Sequence, residues 1–135
     1  MTIRNKFIDT WMLESVIVKH GHHKIYPFGK DVKGILIYGM KYMSVQIMMP
    51  VHYPISETRK HHLKLEDFAQ TLKNIGYMGY FGTYEMDEAN HRIIHNVEGA
   101  IAQKLTGGQE IRTFRFKDAK LILAKGPLEL TWSRV

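Results

Sequence analysis

Short segments in which apolar and polar residues alternate constrain the fold of this chain more than any other feature. Alternation puts every second side chain on one face and is typical of strands with one buried face. Short links such as GMKY, DEAN, KDA and KGP join most of them. Because links this short join antiparallel neighbours, the order predicts a meander, and eight strands can close into a barrel. The predicted strands are 9–19, 33–39, 42–49, 79–86, 91–100, 109–117, 119–125 and 127–134.

One segment follows a helical period instead. In KLEDFAQTLKNIG the apolar positions recur at helical spacing, and Gly76 follows where a C-terminal cap belongs. These positions are Leu65, Phe68, Ala69, Leu72 and Ile75. We therefore predict one amphipathic helix within 62–76 that covers a mouth of the barrel, after a loop in PVHYPISETRKHH. The predicted fold class is an all-β, eight-stranded antiparallel up-and-down barrel.

Composition excludes several classes of protein. A length of 135 residues fits one domain over 1–135 with a substantial core, and 44% hydrophobic with 24% charged residues excludes disorder. The absence of cysteine excludes disulfides and thiolate chemistry. The N-terminus MTIRNKFIDTW has no apolar signal core, and no stretch is long enough to cross a bilayer. These features predict a cytoplasmic protein without membrane insertion.

The formal net charge of +6 raises the question of a nucleic-acid partner. The Lys and Arg residues are scattered along the chain, and no RNA- or DNA-binding motif is present. We therefore predict no nucleic-acid binding, and a basic surface that steers acidic ligands towards the protein. A monomer and a homodimer are both compatible with the sequence.

The stretch HRIIHNVEG carries an ionisable ring on its more apolar face. A period of two places His95 beside Ile93 and Val97 on that face. Either His95 is a core histidine whose ring is satisfied by a neighbouring hydrogen bond, or the face lines a cavity and His95 contacts a ligand. Both interpretations stay open at this point.

Turn lengths suggest which residues face His95. If DEAN is a four-residue loop, Tyr80, Gly82, Tyr84 and Met86 share its face. The predicted pairs are Met86–His91, Tyr84–Ile93 and Gly82–His95. A glycine opposite a histidine leaves volume for a ligand, or is a steric concession in a tight barrel. In the earlier hairpin, GMKY predicts the pairs Tyr38–Met43 and Leu36–Val45.

A second ionisable residue lies on the aromatic face of the segment EIRTFRF. Arg112 alternates in phase with Phe114 and Phe116, which predicts that its guanidinium points inward. A buried guanidinium needs an acceptor because its desolvation is costly. The candidate acceptors are Glu98, Glu110 and a ligand carboxylate.

Two tryptophans mark the ends of the meander. Trp11 lies in the first predicted strand and Trp132 in the last, and these strands must be neighbours if the barrel closes. Arg134 shares the face of Trp132. We predict that Arg134 stacks on one of the indoles at the barrel base. This contact should stabilise the fold by on the order of 1 kcal/mol.

Several segments together resemble the bacterial and fungal lipocalin-like domain family, from about Trp11 to Val135. They are DTWMLES, YPFGKDVKGILIY, MSVQIMMP, YFGTYEMDE, HRIIHNVEG, RTFRF and LELTWSRV. The resemblance implies a calycin-type barrel with a cavity for a hydrophobic ligand, and it implies no defined reaction. The family pattern picks out Trp11, Pro27, Phe28, Gly29, Gly34, Tyr38, Gly82, Tyr84, His95, Glu98, Arg112, Trp132 and Arg134.

The chain departs from this pattern in three places. Asp9 stands where a glycine commonly precedes the Thr-Trp pair. The hairpin after Tyr38 lacks the usual Asp-Gly turn, and AIAQKLTGG after Gly99 lacks the Pro-Asn-Trp typical of the family. One rim of the cavity, next to the segment after Gly99, is therefore expected to differ from that of the family.

The chemistry of the inner faces favours binding of a small hydrophobic molecule with an acidic or carbonyl end. The predicted ligand-binding residues are Tyr38, Met43, Val45, Tyr84, His95, Arg112 and Phe114. The alternative is a small cofactor-free enzyme, of the cyclase, isomerase or decarboxylase type, in which His95 is the general acid or base. The histidines of HGHH at 20–23 and the pair His61–His62 are interpreted as solvated surface residues, so no metal or cofactor is predicted.

Overall fold

The computed structural model describes residues 2–50 and 66–135, in which nine strands form one antiparallel sheet. The strands are β1 (Asp9–His20), β2 (His23–Ile25), β3 (Lys33–Tyr38), β4 (Tyr42–Met48), β5 (Tyr77–Asp87), β6 (Arg92–Ala100), β7 (Gln109–Lys117), β8 (Lys120–Lys125) and β9 (Leu128–Arg134). The helices are α1 (Ile3–Phe7) and α2 (Phe68–Ile75), and short 3-10 turns span Glu88–Asn90 and Gln103–Leu105.

Pairing of the first long strand with the last closes the barrel. β1 pairs with β9, where Trp11 lies opposite Arg134 and Leu13 opposite Trp132. The remaining strands pair in chain order from β3 to β9, and β1 also pairs with β3. The predicted eight-stranded antiparallel meander barrel is therefore confirmed, and so is the adjacency of the two tryptophan-bearing strands.

The short strand β2 is an addition to the eight predicted strands. The segment HGHH at 20–23 lies outside the eight predicted strands, but β1 runs to His20 and β2 begins at His23. The two strands pair directly, and Gly21 turns the chain with a positive φ of 63°. The alternation of apolar residues does not extend into β2, whose three residues are all exposed, so the sequence carries no signal for it.

Helix α2 closes the end of the barrel at which β5 begins. Asp67 caps its N-terminus by accepting a hydrogen bond from the Gln70 amide at 2.8 Å, and Gly76 ends it in the left-handed conformation. Its buried residues are Phe68, Thr71, Leu72 and Ile75. The predicted helix and its glycine cap are confirmed over 68–76. Leu65 and the predicted loop PVHYPISETRKHH, apart from its first residue Pro50, lie outside the described residues.

Helix α1 closes the opposite end and was not predicted. Its last residue, Phe7, is fully buried. The Phe7 ring makes edge contacts with Tyr38, Phe114 and Phe116 at centroid distances of 5.5, 5.0 and 5.2 Å. Five residues are too few for a helical period to stand out in a sequence. In the part of the chain that the structure describes, no helix is long and apolar enough to span a bilayer.

The base of the barrel beside α1 contains the predicted arginine–indole stack. The Arg134 guanidinium lies 4.3 Å from the centroid of the Trp11 ring, and its Nη1 donates to Asp9 Oδ2 at 2.7 Å. The Trp11 indole donates from Nε1 to the Phe7 carbonyl oxygen at 2.9 Å. Trp11 therefore joins β1 to α1, as well as to the last strand.

The β5–β6 hairpin corrects the predicted register by two residues. Met86 pairs with Ile93 rather than with His91. The link is longer than expected because Asp87 caps the 3-10 turn and His91 follows it in the left-handed conformation, with a φ of 52°. A shift of two preserves the alternation, so the inward-facing residues are those predicted. In the β3–β4 hairpin the predicted pairs Tyr38–Met43 and Leu36–Val45 are confirmed.

The predicted pairing of Gly82 with His95 is wrong, and of the two interpretations of this glycine the structure supports the steric one. Gly82 lies opposite Val97, at a bulge that begins after Phe81, while Tyr84 is the residue opposite His95. A Cβ atom on Gly82 would overlap the carbonyl oxygen of Asn96. This glycine is therefore required by a close approach of two backbones.

Candidate functional site

A chain of three polar side chains crosses the barrel interior at His95. Tyr38 Oη lies 2.6 Å from His95 Nε2, and Tyr80 Oη lies 2.6 Å from His95 Nδ1. Strands β3, β5 and β6 bring these three residues together although they are far apart in sequence. His95 is only 2% exposed. The hydrogen bonds expected of a buried histidine are thus present, and both partners are tyrosines.

Burial keeps all three groups uncharged. Desolvation, reinforced by the nearby Arg112 guanidinium, lowers the pKa of His95 from 6.5 to about 3. Desolvation likewise raises the pKa of Tyr38 and that of Tyr80 above the ordinary tyrosine value. Near neutral pH the imidazole is therefore neutral, with one N–H and one lone pair.

The low pKa of His95 predicts a loss of stability in mild acid. The unfolded chain binds a proton at this position below about pH 6.5, whereas the folded protein does so only near pH 3. Stability therefore falls as the pH drops through this window, by about 2 kcal/mol between pH 7.5 and 5. Denaturant unfolding of the parent and of His95→Gln at both pH values measures this contribution, since the variant lacks the titrating ring. Equal losses in the two proteins would contradict it.

A cavity of about 20 Å³ lies beside the histidine. Polar residues Tyr80, His95, Arg112 and Trp132 line part of it. Phe68 of α2 contributes to the wall, so the helix that covers the mouth also bounds the cavity. The apolar remainder of the wall consists of Leu36, Val45, Ile47, Met78, Leu123 and Leu130.

Arg112 reaches the same cavity from β7. Its Nη1 donates to the Ile111 carbonyl oxygen at 3.1 Å and lies 3.4 Å from Glu110 Oε2. Glu110 is buried and also lies 3.6 Å from Lys125 Nζ, whereas Glu98 is exposed. The protein acceptor is thus Glu110, one of the two expected from the sequence, at the long end of hydrogen-bond distances.

The cavity brings together some of the predicted ligand-binding residues and not others. Val45, His95 and Arg112 line it. The others, Tyr38, Met43, Tyr84 and Phe114, are buried but belong to the rest of the interior. Tyr84, for example, donates to the Gly39 carbonyl oxygen at 2.5 Å, and its ring lies under the Arg4 guanidinium at 4.2 Å.

Two polar residues that line the cavity are missing from the set predicted from the sequence. The alternation places Tyr80 on the face of His95, so a signal for it exists. Trp132 was assigned a purely architectural role. Its ring reaches the cavity because β9 sits between β8 and β1 in the closed barrel, and strand closure has no local sequence signal.

Metal-binding side chains do not converge in the described part of the chain, where no group of three or more His, Cys, Asp or Glu residues could hold an ion. His20, His22 and His23 are exposed at the β1–β2 hairpin. The pair His61–His62 lies outside the described residues.

Comparison with known proteins yields one match. A family model described as a lipocalin-like domain matches residues 8–133, nearly the whole chain. Searches of curated proteins and of solved structures find no match. The matched range begins just before β1 and ends within β9, so it covers every strand of the closed barrel.

Proposed function

The chain belongs to the lipocalin-like domain family, and from this premise we propose that its barrel binds a small, mostly apolar molecule with an acidic or carbonyl end, beside His95. The observation that supports the proposal is the cavity itself, in which four polar residues interrupt an otherwise apolar wall. This division is typical of small-molecule sites, where apolar contacts supply affinity and a few polar groups orient the ligand.

Entry of such a ligand requires displacement of α2. A volume of about 20 Å³ accommodates little more than one water molecule. Phe68 is the part of the cavity wall that does not belong to the barrel sheet, so it can leave without breaking strand pairing. Two polar atoms of α2, Gln70 Oε1 and Thr71 Oγ1, are buried without a hydrogen-bond partner among the described residues. Each costs about 1–3 kcal/mol, which reduces the net stability of the docked helix.

The geometry gives less support to the enzyme alternative. A general base must offer a lone pair to the reacting proton. Both ring nitrogens of His95 lie within hydrogen-bond distance of tyrosine hydroxyls, and the ring has a pKa of about 3. Binding is therefore the proposed function, and turnover of a bound ligand is an outcome that the following experiment distinguishes.

Truncation of Phe68 is expected to strengthen ligand binding. Phe68→Ala enlarges the cavity and removes part of the cost of displacing α2, so decanoic acid should bind about tenfold more tightly than to the parent. The matched control is Leu72→Ala, which also weakens the docking of α2 but leaves the cavity wall unchanged, so the difference between the two variants reports the enlarged cavity. Calorimetric titration and thermal shift with decanoic acid measure both affinities.

Each outcome bears on the proposal. Tighter binding to Phe68→Ala than to Leu72→Ala supports it. If neither the parent nor Phe68→Ala binds decanoic acid or an aromatic carboxylic acid, the binding function is wrong. If an acid is consumed, and His95→Gln binds it without consuming it, the protein is an enzyme.

A further inference from the structure

The indole of Trp132 carries a hydrogen-bond donor that has no partner in the part of the chain that the structure describes. The residue is 1% exposed, and its Nε1 has no partner among the described residues. The indole of Trp11, by contrast, donates to a carbonyl oxygen. An unpaired buried donor is unfavourable, and indole N–H can only donate. Because Trp132 lines the cavity, an acceptor bound there is the group that would satisfy it.

The hydrogen bonds around His95 identify a second donor. A neutral imidazole donates through one nitrogen and accepts through the other, so one tyrosine donates to His95 and the other accepts from it. The accepting tyrosine keeps its own hydroxyl proton for another partner. Tyr38 does not line the cavity and Tyr80 does. The arrangement that directs the spare hydroxyl proton into the cavity, rather than into the packed interior, has Tyr38 donating to Nε2 and Nδ1 donating to Tyr80. The Tyr80 hydroxyl then donates into the cavity.

Arg112 supplies a third set of donors. A guanidinium has five N–H groups, and in the described part of the chain only Nη1 of Arg112 has hydrogen-bond partners. Glu110, its carboxylate neighbour, is shared with Lys125. The guanidinium thus keeps Nε and Nη2 for another acceptor.

Trp132, Tyr80 and Arg112 therefore each present a hydrogen-bond donor at the cavity. The His95 lone pair is taken by Tyr38, and the Glu110 carboxylate is engaged by two cations. We propose that the polar end of the ligand is a carboxylate, bound by Trp132 Nε1, the Tyr80 hydroxyl and the Arg112 guanidinium. A carboxylate accepts only, offers about four lone-pair sites and carries the charge that complements arginine. This inference rests on the proposed binding function and narrows its ligand to one chemical class.

The test compares ligands that differ only in their polar end. Decanoic acid, methyl decanoate and 1-decanol are titrated into the parent protein at pH 7.5. We expect the acid to bind at least about tenfold more tightly than the ester and the alcohol, since hydrogen bonds to a charged acceptor are stronger than those to a neutral one. Equal binding of all three overturns the carboxylate while leaving the binding function intact. Absence of binding by all three, also in Phe68→Ala, contradicts the binding function itself.

Two variants and one control test the assignment of Trp132 and Tyr80 as donors. Trp132→Phe and Tyr80→Phe should each weaken binding of the acid about tenfold and change binding of the alcohol by less than about threefold. The matched control is Tyr84→Phe, because the Tyr84 hydroxyl is bonded to Gly39 outside the cavity. Equal losses for acid and alcohol would overturn these assignments. A long-range ¹H–¹⁵N spectrum of the parent gives an independent readout: protonated Nδ1 in His95 is expected, and protonated Nε2 would overturn the role of Tyr80.

Discussion

Replacement of Trp11 by alanine is expected to lower the free energy of unfolding by about 3–5 kcal/mol. The side chain is fully buried, and its loss leaves a cavity where β1 meets β9. The same change removes the hydrogen bond to the Phe7 carbonyl and the surface on which Arg134 stacks. The substitution therefore weakens both the packing of α1 and the pairing of β1 with β9.

Denaturant unfolding measures this effect against a control on the same strand. Met12 lies next to Trp11 but points outward and is 41% exposed, so Met12→Ala should change stability by less than about 1 kcal/mol. If Trp11→Ala unfolds at the same midpoint as the parent, Trp11 does not hold the barrel base together. The variant Arg134→Met removes the stack together with the hydrogen bonds to Asp9 and to the Lys6 carbonyl oxygen, and it should cost at least about 1 kcal/mol.

Replacement of Arg112 by methionine is expected to cost about 3–5 kcal/mol, because it leaves the Glu110 carboxylate buried without its guanidinium. The side chains of Arg112 and Glu110 are each 7% exposed, so water cannot replace the lost partner. Lys125 compensates little, since its side chain is 62% exposed and its ammonium lies 3.6 Å from the carboxylate. The cost therefore comes from the uncompensated charge of Glu110.

A double variant tests this cause. Glu110→Gln in the Arg112→Met background removes the stranded charge and should restore at least half of the lost stability. Denaturant unfolding of both single variants and of the double variant completes the cycle. If the loss of stability in the double variant equals the sum of the losses in the two single variants, Arg112 and Glu110 do not stabilise the fold through each other. Because Arg112 is also a proposed carboxylate donor, the rescued double variant should still bind decanoic acid poorly.

The barrel could be predicted from the sequence because its signals are local. Alternation along 33–38 or 109–117 assigns the inner face of each strand without knowledge of the partner strands. The short links determine the order of strands, and Gly76 marks the end of α2. Helix α1 and strand β2 were not predicted, because segments of five and three residues are too short to show a helical or strand period.

The site was only partly predictable, for a different reason. Arg112 and His95 stand out as ionisable residues on apolar faces, and both line the cavity. The bulge beside Gly82 and the two-residue register shift could not be read from turn length. Tyr80 was on the predicted inner face, but only the folded barrel shows that its hydroxyl reaches the imidazole.

By itself the sequence determined which side chains point inward, since the pleat of a strand is a property of neighbouring residues. Only the tertiary structure decided which of those side chains meet. Tyr38 and His95 are 57 positions apart, and their 2.6 Å contact depends on closure of the barrel and on the register of the intervening strands. Trp132 Nε1 has no hydrogen-bond partner among the described residues for the same reason, because the partners of a buried side chain come from other strands rather than from its neighbours along the chain.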